Sequence, residues 1–89
     1  MKKIYCDINM FELDQRVYIV DSDSNIPEAV SIITLEDLPE VINTICNNEQ
    51  IDTVCLGGCK AYVEELSESI LTCAEKKYNQ NNIIVEVLG

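Results

Sequence analysis

One helical stripe set among strand-like runs limits what this chain can fold into. Leu38, Val41, Ile42, Ile45 and Cys46 fall at the i, i+3, i+4, i+7, i+8 spacing of an amphipathic helix. Three β-branched and aromatic runs precede it: Lys3-Ile4-Tyr5-Cys6-Asp7-Ile8, Arg16-Val17-Tyr18-Ile19-Val20 and Ala29-Val30-Ser31-Ile32-Ile33. The stretch 9–14 between the first two has no helical period, and Pro27 punctuates the turn before the third. Short connections make an antiparallel meander the economical arrangement of the three. After the helix comes Thr53-Val54-Cys55-Leu56, a short apolar run closed by Gly57-Gly58, which reads as a buried parallel strand. A second helix follows over about 60–78, and 83–88 reads as a last strand. The expected fold is a single α/β domain over 1–89, ordered β-β-β-α-β-α-β, with a mixed five-stranded sheet and two helices.

The helix ends carry their own signals. Asp37-Leu38-Pro39-Glu40 has the form of a capping box, with Asp37 accepting from first-turn amides and Glu40 reaching back. Pro39 then sits in the first turn, where its missing N–H is not needed. On the second helix Val63, Leu66, Ile70, Cys73 and Lys77 are expected along the inner stripe, with Tyr62 and Ala74 beside it. Glu64, Glu65, Glu68 and Glu75 fall outside it, and Lys76 and Lys77 stand near the C-terminal end, where cations are favoured.

Charge narrows the partners. Sixteen acidic residues against six basic ones give a net charge of −10, which repels phosphate and disfavours both direct nucleic-acid binding and anionic membranes. If the acidic stripe of helix two binds anything, the partner is a basic protein, with on-rates that fall with salt. The apolar run after Met1-Lys2-Lys3 is broken at Asp7, short of a signal-peptide core, and no apolar stretch reaches bilayer length. The expectation is a soluble, cytoplasmic protein. Its five cysteines, Cys6, Cys46, Cys55, Cys59 and Cys73, are odd in number and fall in predicted elements, so reduced thiols are expected rather than a disulfide framework.

Two further features bear on chemistry. Histidine is absent, which removes Cys-His and Ser-His-Asp catalysis and His-containing zinc sites. Cys55 and Cys59 are four apart and form no C-x-x-C pair, while the dipole of helix two would favour a thiolate at Cys59. The run Asp21-Ser22-Asp23-Ser24-Asn25 begins like a Ca²⁺-binding loop. Ile26 stands where the loop needs Gly, however, and Ile32 where it needs a bidentate Glu.

In element order the chain resembles the ribonuclease H-like fold, also used by each half of actin-like ATPases. Asp7 in Ile4-Tyr5-Cys6-Asp7-Ile8-Asn9 resembles the metal-binding Asp on the first strand of such nucleases. Two-metal chemistry needs several converging carboxylates, yet Gly57-Gly58 stand where the next is usual, and Glu86 lies inside the last strand. The run Val54 to Lys60, apolar strand into Gly-Gly into helix, resembles the adenosine motif of actin-like ATPases, whose phosphate motif Asp7 and Asn9 loosely match without its glycines. The resemblance implies a ligand site of Asp7, Asn9, Gly57 and Gly58, with Asp21 as a further candidate, for a nucleotide or Mg²⁺. No catalytic set is complete, so the first expectation is a non-enzymatic protein acting through a protein contact. Proteins of this size and acidity are common among phage and mobile-element products. A third expectation is a homodimer through the edge of strand three or strand five.

Overall fold

The computed structural model describes residues 1–9, 11–23 and 27–88. Its elements are β1 (Lys2–Ile8), β2 (Asp14–Asp21), β3 (Glu28–Thr34), α1 (Leu38–Glu49), β4 (Thr53–Gly58), α2 (Lys60–Lys77) and β5 (Ile84–Val87). The chain is thus an α/β domain in the expected order, and its five strands form one mixed sheet, β3-β2-β1-β4-β5. β1, β2 and β3 pair antiparallel, whereas β1, β4 and β5 run parallel. The pairing of β2 with β3 shifts register between Val17 and Tyr18. Ser24, Asn25 and Ile26 of the acidic run lie outside the described residues, as do Met10 and Gly89. No helix among the described residues is long and apolar enough to cross a membrane.

The topology decides where the core sits. The β3-α1-β4 and β4-α2-β5 crossovers both advance in the same direction along the sheet. Parallel crossovers are right-handed, so both helices fall on the same face. Ile4, Cys6 and Ile8 of β1, Val17 and Ile19 of β2, and Val54 and Leu56 of β4 point into that layer. They meet Leu38, Ile42 and Cys46 of α1 and Val63, Leu66, Ile70 and Ala74 of α2 in one cluster. Asn43 lies fully buried between the helices, where its Nδ2 donates to the carbonyls of Pro39 (2.8 Å) and Ile70 (3.1 Å).

Local detail departs from expectation in four places. The capping box does not form. Asp37 already has helical backbone angles after the tight turn 34–37, and its carboxylate accepts from Thr34 Oγ1 (3.3 Å) instead of an amide. Glu40 turns to Lys77 Nζ (3.7 Å). On α2, Ala74 is buried with Val63, Leu66 and Ile70, whereas Cys73 is half-buried and Lys77, the last residue of the helix, is exposed and pairs with Glu40. Gly57 and Gly58 do not follow β4 but complete it, paired with Asp7 and Ile8. β5 is shorter than 83–88, although Ile84 and Leu88 still donate to the carbonyls of Asp52 (2.7 Å) and Leu56 (2.8 Å).

Candidate functional site

Among the described residues no helix covers the second face of the sheet. Lys3, Tyr5 and Asp7 of β1 alternate with the three buried residues of that strand and point to this side. By register they stand beside Val20, Tyr18 and Arg16 on β2, Ile32 on β3, Cys55 and Gly57 on β4, and Ile84 and Glu86 on β5. Ile32 is 61% exposed and Ile84 54% exposed. Tyr5 and Tyr18 are direct cross-strand partners, with ring centroids 6.5 Å apart and planes inclined by 43°. Burial, and then the nearby Asp7 carboxylate, raise the Tyr5 hydroxyl above its ordinary pKa.

A polar line crosses the middle of this face. Cys55 Sγ donates to Glu86 Oε2 (3.4 Å), and Lys3 Nζ lies 3.9 Å from the same oxygen. The Cys55 thiol is raised by burial first and by its bond to Glu86 second, which keeps it protonated. No disulfide joins the five cysteines: Cys6, Cys46 and Cys55 are buried, and Cys59 and Cys73 are half-buried. Burial pushes Cys6 up to about 12 and Cys46 up to about 11. Cys59 is the N-cap residue of α2, with an extended backbone.

The residues singled out for a ligand do gather at one place. Asp7 pairs with Gly57 and Ile8 with Gly58, at the carboxyl ends of the parallel strands β1 and β4, where open α/β sheets bind ligands. A Cβ on Gly57 would meet Tyr5 Oη at 3.4 Å and Asp7 Oδ1 at 3.6 Å, so this glycine lies among open-face side chains. Gly58 differs: its φ is +101°, and a Cβ there would lie 2.1 Å from the Ile8 carbonyl oxygen. Its bare backbone serves close packing on β1, sealed by the Cys59 amide donating to Ile8 (3.0 Å).

Asn9 is engaged in the β1–β2 connection. Its Oδ1 accepts from the Phe11 amide (2.9 Å), and its amide donates to Oε1 of the buried Gln15 (2.8 Å). Gln15 Nε2 returns bonds to the carbonyls of Asn9 (2.9 Å) and Glu12 (3.0 Å). Asp21 is not brought to this place. It pairs with Lys2 at the opposite end of β1, about 16 Å from Asp7 at about 3.3 Å per residue. The Asp23 amide (3.1 Å) and then the N-terminal amine (3.5 Å) hold its carboxyl below the usual range. Among the described residues no three Cys, Asp or Glu side chains gather as metal ligands.

Glu64, Glu65, Glu68 and Glu75 are all exposed. Glu64, Glu68 and Glu75 share the outer face of α2, opposite the buried stripe. Glu65 and Glu68 also border a groove of about 490 Å³ between the helices, which the paired Glu40 and Lys77 line as well.

The sequence motifs point to Asp7, Asn9, Gly57 and Gly58 but not to the uncovered face or its tyrosine pair. The signal was there in the alternation of Lys3, Tyr5 and Asp7 with Ile4, Cys6 and Ile8. It needed the two crossovers to be read as advancing in one direction. No protein-family model matches the chain, and no curated protein matches it in sequence.

Proposed function

We propose that this protein is a non-enzymatic contact module that works by docking the uncovered face of its sheet against another protein. The observation that carries this is the parallel β1-β4-β5 ladder covered on one side only. Parallel sheets in compact domains are covered on both faces, and this one presents Tyr5, Tyr18, Ile32 and Ile84 instead. Tyrosines with neighbouring apolar side chains are the composition of a binding surface. The test is affinity capture with the wild type and with Ile84→Asp, a change at an exposed position. Partners held by the wild type and lost with Ile84→Asp support the reading. A partner set indifferent to Ile84→Asp overturns it.

A second reading follows from the gathering of Asp7, Asn9, Gly57 and Gly58 at the carboxyl ends of β1 and β4. It is a degenerate nucleotide- or Mg²⁺-binding site of the ribonuclease H-like or actin-like kind, to which the strand order lends support. Asp7 would face the cation, and the backbone near Gly57 would approach the ligand. Thermal unfolding with Mg²⁺, Mn²⁺, ATP and ADP separates the two. A ligand at a hundred times its Kd stabilises by about 2.7 kcal/mol, a shift of several degrees in a domain this small. Such a shift, abolished by Asp7→Asn, favours the second reading, and a flat response favours the first.

A further inference from the structure

Charge on the uncovered face differs from charge on the rest of the molecule. Its central positions carry Lys3 and Arg16 against Asp7 and Glu86, a balanced set, with Asp14 on the rim. Nearly all of the net charge of −10 therefore lies elsewhere, much of it on the outer side of α2. A basic protein is drawn to that acidic helical side and has little electrostatic reason to choose the neutral sheet face. A surface with both signs around a tyrosine pair is complementary to itself. A two-fold axis can set Lys3 and Arg16 of one copy against carboxylates of the other.

From this we infer that the occupant of the uncovered face is a second copy of the chain, packed sheet against sheet; the assignment rests on the contact reading above. Size supports it. Five strands about 4.8 Å apart, each with about six residues at about 3.3 Å, make a face of roughly 24 by 20 Å. Two such faces remove roughly 1,000 Å² even as flat areas, which is the lower bound for a specific interface. Sheets stack about 10 Å apart with their inner side chains interdigitated, and the exposed Ile32 and Ile84 supply such side chains.

Repulsion between two acidic chains does not prevent this. Sheet-to-sheet packing places the two helical layers on opposite outer sides, separated by much of the combined thickness of molecules whose shortest dimension is 22 Å. That exceeds the screening length of about 8 Å at physiological salt. The edges are weaker candidates. β5 has four residues, and β3 begins beside Pro27 with Glu28.

The test is sedimentation equilibrium of the full chain from micromolar to millimolar concentration at physiological salt. The expected result is a reversible dimer. Tyr18→Asp, at the tyrosine pair, should weaken it by about 30-fold or more, the loss of a central anchor, and Ile32→Asp, on the edge strand β3, by about 10-fold. Circular dichroism checks that both variants stay folded, and Ile32, being exposed, is the safer of the two. A wild type that stays monomeric at millimolar concentration overturns the proposal. So does a dimer that ignores both variants and breaks with Ser31→Pro at the β3 edge. A monomer whose captured partner is lost with Ile84→Asp defeats only the second-copy assignment, whereas indifference of every association to these variants defeats the contact reading as well.

Discussion

The two faces of one sheet are made by the same strands and differ in almost every physical respect. On β1, Ile4, Cys6 and Ile8 are essentially shut off from water, while Lys3, Tyr5 and Asp7 between them are not. The covered face is apolar and packed by two helices, and the Cys6 thiol there is too desolvated to ionise readily. The other face mixes aromatic rings, isoleucines and balanced charges, and its thiol, Cys55, is held by a carboxylate. Stability therefore resides on one side of the sheet, and recognition is free to reside on the other.

Substitutions should fall in line with that division. The largest effect is expected at Gly58, where a methyl group meets the Ile8 backbone and φ is +101°. Gly58→Ala should lose about 3 kcal/mol or more in urea unfolding. Its neighbour Gly57, on the open side with room at 3.4 Å and beyond, should accept Ala within about 0.5 kcal/mol. Equal losses at the two glycines would break the comparison.

Next comes Ile70→Ala on the covered side, expected to cost about 2–5 kcal/mol by leaving a cavity between α2 and the sheet. A smaller, pH-dependent effect belongs to the buried thiols. Folding raises Cys6 from 9.0 to about 12 and Cys46 from 9.0 to about 11, so only the unfolded chain gains by losing those protons between these limits. Their contribution is complete below pH 9 and is lost as pH rises toward 11 for Cys46 and 12 for Cys6. The slope is about 1.4 kcal/mol per pH unit per thiol. Urea unfolding at pH 8 and pH 10 measures it, and Cys6→Ala should flatten it; an unchanged slope would remove Cys6 from the account.

The smallest effect is expected at Ile32, on the open face and 61% exposed. Ile32→Ser should change monomer stability by no more than about 0.5 kcal/mol, read at a concentration too low for association. A large loss there would mean that the open face also stabilises the single chain.

Much of the fold was legible in the residues because its signals are local. The stripe Leu38, Val41, Ile42, Ile45 and Cys46 needs only helical geometry to be read, and the apolar run before Gly57-Gly58 reads as a strand within the same few residues. Asp37 shows the limit of such reading. The capping pattern was present, but the turn from Thr34 had already set the backbone of Asp37, and Lys77, far along the chain, drew away Glu40. The ligand candidates Asp7, Asn9, Gly57, Gly58 and Asp21 could be named from local motifs, yet only the pairing of β1 with β4 places Asp7 beside Gly57, and only the pairing of β1 with β2 sets Asp21 at the other end.

By itself, then, the sequence determined the kinds of element, their order and the excess of acid, since periodicity and charge are carried by neighbouring residues. The tertiary structure decided which sheet face is buried, which glycine is indispensable and that a tyrosine pair stands uncovered. Those outcomes depend on strand order and on the hand of two crossovers, and they join residues whose separation along the chain carries no local signal.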